Sequence, residues 1–583
     1  MKCIGRRGYV ILAIWLALSA ALISTGWTNI GVRAGWDPDD QLRLVQLRDF
    51  LNGQSWFDTR QYRMNPPDGA PMHWSRLIEL PLAAIISLLA PMFGQAVAET
   101  VASTALPLML FGVIIMLLAR TASRVGENGA DIAAAIIAAL SVPLIMQLRP
   151  MRIDHHGWQI TMAVLALASL FHGNARKAGL VLGAALAIWL HISLEGAPMS
   201  AAFFLFLGWQ WLTKPVEATR LFWTIGGFAV LSLALFLGTQ TLGLGATIYC
   251  DTVSPPHIIA ILAAATIMLS GLYIGPQSKL ARALVIATAG GAAASVLLLR
   301  APGCLHGAFS TLDPLVRDYW YVNVKEGMPV WHQDLRTAAF LMAGPIAGLI
   351  SFIILARKMD ETNRSKLWVA SFFSIYAFVL SLFVFRTISV AAAYGIVPVS
   401  ALVSHLFAQY RQSGLPKQRI LYVVAMLFLL VPGSVVNAVL NISPAPQSAE
   451  DVRSSTRLLS CESANSVATL SRLPRGQFLV PFDMGPMVLA QTRHSVLASS
   501  HHRNEKAMHD HIEIFRSQPD VAKRLMHARG IDYLALCPDE EELDLYARKN
   551  PDGFWGQIAK RNVPDWLEAL PVKGKGIMVW RVR

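Results

Sequence analysis

Apolar runs of about 20 residues, separated by short polar connectors, recur from residue 9 to residue 440. Each is long enough to cross a hydrocarbon layer of about 30 Å. The pattern predicts spans near 9–27, 100–119, 131–148, 158–172, 178–192, 197–213, 221–241, 257–275, 281–299, 337–356, 367–385, 388–408 and 419–440, about thirteen in all. One more apolar segment, 80–93, is only about 14 residues long and contains Pro81 and Pro91. It reads as a re-entrant or interfacial helix. After residue 440 the chain turns polar. Alternation at 477–480 and 533–536 predicts strands, and the pattern at 507–516 predicts a helix. The expected fold class is an α-helical polytopic membrane protein, residues 1–440, followed by a soluble mixed α/β domain, residues 441–583, long enough for its own core.

Charge sets the topology. The formal net charge is +13 although only 15% of residues are charged. In a soluble protein that excess would suggest nucleic acid. Here the basic residues fall in alternate connectors, at Arg120 and Arg124, Arg176 and Lys177, Lys214 and Arg220, Lys279 and Arg282, Arg357 to Lys366, and Arg411 to Arg419. With Lys2, Arg6 and Arg7 they predict a cytoplasmic N-terminus, a periplasmic C-terminal domain, a bacterial-type plasma membrane and no nucleic-acid partner. The alternation holds only if 80–93 does not span. The first apolar run exceeds the core of a signal peptide and is expected to be retained as a span. Cys461 and Cys537 would lie outside the cytoplasm, where a disulfide and two structural thiols are both admissible.

This topology puts three polar motifs on the outer face, in loops 28–99, 149–157 and 300–336. Asp37, Asp39 and Asp40 follow the first span; Asp154, His155 and His156 follow the third; Glu326 sits in a long later loop. Clustered carboxylates joined by an imidazole suit a divalent cation such as Mg²⁺ or Mn²⁺. A solvated acidic loop capping a helix is the plain alternative for the first motif. Arg149 and Arg152 have the chemistry to bind phosphate or to pair with the neighbouring acids. His73, with Trp56, Asp58, Trp74 and Arg76, would suit a sugar or would simply pack the first loop. His191 and Glu195 read as a polar span end.

Order and spacing add a resemblance. Asp37-Pro38 with Arg43, then Asp154-His155-His156, then Val324-Lys325-Glu326-Gly327-Met328-Pro329-Val330-Trp331 resembles the catalytic subunit family of oligosaccharyltransferases, membrane glycosyltransferases of the GT-C fold. The resemblance implies metal ligation by Asp37, Asp154 and His156, and a glutamate near the metal at Glu326. It implies a lipid-phosphate contact at Arg386, within Arg386-Thr387-Ile388-Ser389. Arg152 is a further candidate for the donor phosphate, and Asp39, Asp40, His155, His73 and Asp483 for lining the site. Phe482-Asp483-Met484-Gly485, with Ser495 to Ala498 and His501-His502-Arg503-Asn504, is similar to the start of the family's soluble domain. The paired tryptophans that precede that aspartate in the family, and help read an acceptor sequon, are replaced by Pro481 and Phe482.

The expected function is therefore an inverting glycosyltransferase with a polyprenyl-phosphate- or pyrophosphate-linked donor, a divalent cation, and a surface glycan, lipid or protein acceptor. An oligosaccharyltransferase acting on asparagine is the rival reading among enzymes. A flippase is the rival of another class, disfavoured because transporters place ionisable groups near the midplane, whereas these acids sit at span ends.

Overall fold

The computed structural model describes residues 5–240, 248–307, 309–442, 463–538, 540–572, 574 and 576–583. Numbering the longer helices in chain order, α1 is Arg6–Thr25, α2 Pro38–Leu51, α3 Glu79–Phe93, α4 Gln95–Val125, α5 Ala130–Leu140, α6 Val142–Leu148, α7 His156–Leu170, α8 Ala175–Ile192 and α9 Ala197–Thr213. They continue with α10 Ala218–Thr239, α11 Pro255–Ile274, α12 Lys279–Arg300, α13 Leu335–Leu355, α14 Glu361–Phe383, α15 Ile388–Gln412, α16 Pro416–Leu430 and α17 Pro432–Ile442. Among the described residues ten helices are long and apolar enough to cross a membrane, or up to twelve if each of two bent pairs is one span. Those pairs are α5 with α6, bent by 64°, and α16 with residues 432–440, bent by 92°. The expected count of about thirteen is higher for a simple reason. It includes α7 and α9, which are 15 and 17 residues long, short of the roughly 20 that a straight crossing needs, and it leaves out α3, which the count of ten to twelve includes.

Segment 80–93 is long enough to be a span only when the turn Arg76–Ile78 is joined to α3. Its flanks argue against a crossing. Glu79, at the start of α3, pairs with Arg43 of α2, and Glu99, just past its end, pairs with Arg48 of the same helix. Arg48 and Arg43 lie five residues apart, about 8 Å along a helix. α3 packs Leu82, Ala83 and Ile86 against Ala98 and Ala102 of α4 and Leu44 and Leu47 of α2.

α15 is the hub of the bundle and the most buried of the candidate spans. Its approach to α13 depends on glycine: a Cβ on Gly348 would lie 2.9 Å from the Cα of Gly395. Small residues at such a crossing let two backbones touch and gain dispersion contact where no hydrophobic effect drives association. One end of the bundle is tied by Arg7 with Asp131 at 3.7 Å and His405 with Glu127 at 2.8 Å. The acidic motifs occupy the opposite end.

The C-terminal part carries a five-stranded sheet of order β2-β1-β3-β5-β4, with β1 Gln477–Leu479, β2 Ser495–Val496, β3 Tyr533–Leu536, β4 Leu567–Ala569 and β5 Met578–Val582. β1 is parallel to β2 and β3, while β5 runs antiparallel to β3 and β4. The strands and the helix expected near 507–516 are present, the latter as Glu505–Arg516. This sheet is not separate from the membrane part. The first loop pairs onto its edge through Met64 and Val496, and Leu42, Val45, Met64 and Trp74 share a core with Phe478, Val488 and Val496. The C-terminal part also brings His501 to Asp39 of the first acidic motif.

Cys250 and Cys304 form a disulfide that joins the loop before α11 to the loop after α12. The sequence reading had considered only Cys461 and Cys537. Cys537 is disulfide-bonded, and Cys461 lies outside the described residues.

Candidate functional site

Asp37 caps α2. Its carboxylate accepts from the backbone N–H of Asp40, Pro38 occupies the first helical turn, and Asp40 answers through a capping box. This is the arrangement that a helix start with orphan N–H groups favours. Asp40 is buried and joins the first two loops: Oδ1 accepts from the backbone N–H of Ile153 at 2.8 Å and of Asp154 at 3.1 Å, and Oδ2 accepts from that of Trp36 at 2.9 Å. Expected to line the site, Asp40 instead holds Asp154 next to Asp37.

Ligand-capable atoms of Asp37, Asp40 and Asp154 lie within 4.8 Å of one another, as do those of Asp154, His155 and His156. Asp154 is common to both groups. Arg152 sits among the carboxylates, its Nη1 against Asp37 and 3.2 Å from Asp40, its Nη2 2.8 Å from Asp154. The arginine does not line the cavity, which differs from the donor-phosphate position expected of it. Three buried or half-buried carboxylates within reach are a stronger attraction than open solvent.

Burial, and then the Asp154 charge, push the Asp40 carboxyl well above its ordinary value, so Asp37 and Asp154 are the carboxylates whose charge faces Arg152. Asp154 Oδ2 is buried, paired with Nη2 of Arg152 at 2.8 Å and 3.7 Å from Nε2 of His156. Burial acts to raise the Asp154 carboxyl, but Arg152 and then the two imidazoles hold it well below the usual carboxylate range. His155 is pushed down to about 4, first by burial and then by the neighbouring His156. Ionised carboxylate and neutral imidazole are the protonation states a cation requires. Asp154, which shares one such group with Asp37 and another with His156, is the residue about which a divalent ion would be held.

These groups open on a cavity of roughly 1300 Å³ bounded by both parts of the chain. Arg386 lines the same cavity, 3.0 Å from Glu195 and 3.6 Å from Glu326. The backbone N–H of Phe385 donates to Met328 O at 3.1 Å, which pins the Glu326 loop beside Arg386. Burial raises the Glu195 carboxyl, yet Arg386, followed by His155 and His156, brings it below its ordinary value. Glu195 was legible only as a polar span end. Its place facing Arg386 comes from the meeting of the α8–α9 connector with α15, which no local pattern announces.

Asp39 also lines the cavity, with Oδ1 3.4 Å from Nε2 of His501. Burial would raise its carboxyl, but the contact and charge of His501 outweigh that and lower it. His73 is drawn away from the acidic loops. It joins Asp251 and His502 in a third group whose ligand-capable atoms lie within 4.8 Å. Asp483 reaches the cavity rim. No local pattern marks Asp251, which is far from every motif along the chain.

No family model matches the chain, and no curated protein matches it in sequence. Solved structures do match in fold. The archaeal oligosaccharyltransferase AglB from Archaeoglobus fulgidus, in complex with an inhibitory peptide and a dolichol-phosphate, superposes with a TM-score of 0.62 at 12% identity, over 91% of this chain and 69% of that one. The oligosaccharyltransferase of that organism tethered to an acceptor peptide containing the NVT sequon gives 0.62 at 11% identity, over 90% and 69%. Its complex with Zn and sulfate gives 0.58 at 13% identity, over 90% and 67%. Ten to twelve membrane-competent helices and a C-terminal sheet packed onto their loops thus follow one architecture through nine-tenths of this chain, and that architecture is the GT-C fold of the membrane oligosaccharyltransferases.

Proposed function

We propose that the chain is an inverting glycosyltransferase that takes a sugar from a polyprenyl-phosphate- or pyrophosphate-linked donor at the periplasmic side of a bacterial-type plasma membrane. The acceptor is a surface glycan, lipid or protein. Residues 1–440 form the catalytic membrane part and 441–583 the periplasmic domain. The observation that carries this reading is one cavity lined by Asp37, Asp39, His155 and His156 together with Arg386. It is supported by a dolichol-phosphate in one archaeal neighbour and by Zn and sulfate in another.

In the reaction an acceptor O–H or N–H attacks the anomeric carbon of the donor sugar. The bond from that carbon to the phosphate oxygen breaks, and the phosphate leaves with the electron pair. Asp37, on the cavity wall, takes the acceptor proton as general base. Arg386 binds the phosphate, exchanging its contacts with Glu195 and Glu326 for two charge-assisted hydrogen bonds. Glu326, exposed on its loop, orients the acceptor beside the carboxylates. A bound Mg²⁺ or Mn²⁺ would supply charge neutralisation at the departing phosphate.

An asparagine acceptor is the second reading, favoured by the fold likeness. The ring of Phe482 stacks on His511 at 4.0 Å and is almost fully buried, so the segment that would read a sequon offers no polar group there. The test is consumption of polyprenyl-linked sugars by membranes with the wild-type chain or Asp37→Asn, with and without Mn²⁺, followed by mass spectrometry of lipids and glycans. Metal-dependent loss of one donor in the wild type alone is expected. Movement of an unchanged lipid-linked sugar between leaflets would replace the transferase by a flippase.

A further inference from the structure

We propose that Asp251, His502 and Arg503, with the rings of Phe309 and Trp320, form an acceptor subsite for a sugar hydroxyl. This deepens the transferase reading and rests on it, since it names a glycan as the acceptor.

The three polar residues come from parts of the chain about 250 residues apart and lock together. Asp251 Oδ2 lies 2.7 Å from Nε2 of His502 and accepts from Nε of Arg503 at 3.0 Å, while Oδ1 accepts from Arg503 Nη2 at 2.8 Å. Arg503 also donates to Met72 O at 3.3 Å and lies 3.9 Å over the ring of Tyr249. The ligand-capable atoms of Asp251, His502 and His73 are close enough for a metal, but the charge argues otherwise. A single carboxylate, already matched by a guanidinium, has little left for a cation.

An ionised carboxylate only accepts hydrogen bonds, so Nε2 of His502 carries the proton. Among the described residues Nδ1 has no hydrogen-bond partner; it accepts from a hydroxyl in the neutral ring and donates to one in the charged ring. His502 lines the cavity, and a substrate O–H is the complement it lacks. Around it stand half-exposed rings: Phe309 edge-on at 4.8 Å and Trp320 stacked at 6.3 Å. Such faces suit the apolar side of a pyranose. The subsite connects with the acidic wall, because His73 lies 4.7 Å from His502 and 6.2 Å from His501, which contacts Asp39. The cavity exceeds the usual small-ligand range and leaves room for a second sugar beside the donor.

The disulfide fixes this wall. Cys250 precedes Asp251 directly, and Cys304 stands five residues before Phe309. One covalent link therefore holds both the carboxylate and a ring against His502.

The test is binding of a panel of free oligosaccharides, and separately of Asn-X-Thr peptides and of polyprenyl phosphate, to the full chain in nanodiscs by native mass spectrometry. Saturable binding of at least one oligosaccharide is expected, weakened about tenfold by Asp251→Asn and by His502→Gln through loss of one charge-assisted contact. Polyprenyl phosphate binding should be unchanged. Trp320→Leu, which leaves the ion cluster intact, should give the same loss if either polar variant fails to fold. Binding of the peptides in place of sugars, or equal sugar binding by wild type and variants, overturns the subsite. Donor consumption by the wild type with no oligosaccharide bound overturns the subsite alone; absence of donor consumption overturns the transferase reading beneath it.

Discussion

Two clusters in the cavity satisfy the same distance criterion for a metal, yet differ in charge. Asp37, Asp40 and Asp154 set three carboxylates against Arg152. Asp251 is one carboxylate against Arg503 and an imidazole. The first holds more carboxylate than its one guanidinium matches, and in the second a single carboxylate is matched by a single guanidinium. Ligand atoms within reach define where a cation fits, and residual charge decides whether it binds. The acid-rich cluster is therefore assigned to the ion and the balanced one to orientation.

The largest expected effect that separates them is in activity. Asp154→Asn should lower donor consumption by about 10²-fold or more, the scale of losing a group that stabilises transition-state charge, with membrane levels unchanged. Asp251→Asn should leave donor binding intact. Equal losses of donor binding in both would dissolve the distinction.

Stability comes next. Arg152→Gln leaves three carboxylates facing one another, a loss of about 3–5 kcal/mol by analogy with broken buried ion pairs. Added Mn²⁺ should restore much of the thermal stability of this variant, while Asp251→Asn should leave the Mn²⁺-induced shift of the wild type unchanged, because Arg503 already matches that carboxylate. Thermal unfolding with and without Mn²⁺ checks both. Opening the Cys250–Cys304 link by a double serine substitution removes a constraint spanning 54 residues, about 4 kcal/mol on the chain-entropy account. It should weaken sugar binding without touching Mn²⁺ affinity.

The smallest effect is in pH. Burial raises the Asp251 carboxyl, but His502 and Arg503 hold it far below the usual range. In the unfolded chain the group titrates near 3.9. Its stabilisation is thus complete above about pH 4 and is lost as pH falls toward the folded value, because the unfolded chain binds the proton first. The difference in unfolding temperature between wild type and Asp251→Asn should be constant at neutral pH and shrink below about pH 4.

Much of the membrane part was legible because hydropathy acts over a length fixed by the bilayer. The segment 80–93, expected to be re-entrant or interfacial, is long and apolar enough for a span once Arg76–Ile78 is joined to it, while Glu79 and Glu99 both reach α2. What escaped were groups whose partners come from elsewhere: Glu195 beside Arg386, Asp251 beside His502 and Arg503, and Cys250 bonded to Cys304. Arg152 illustrates the same limit. Its position next to Asp154 suggested both phosphate binding and acid pairing, and three carboxylates brought together by Asp40 settled its contacts.

The sequence by itself determined the helical membrane class, the C-terminal strands and the acidic motifs at the span ends, because apolar length, alternation and helix capping are local properties of the chain. Only the tertiary structure decided which charges meet, since ion pairing depends on distances of a few ångströms between residues hundreds apart. The docking of the first loop onto β2 set those distances, and with them the difference between a site with charge to spare and one without.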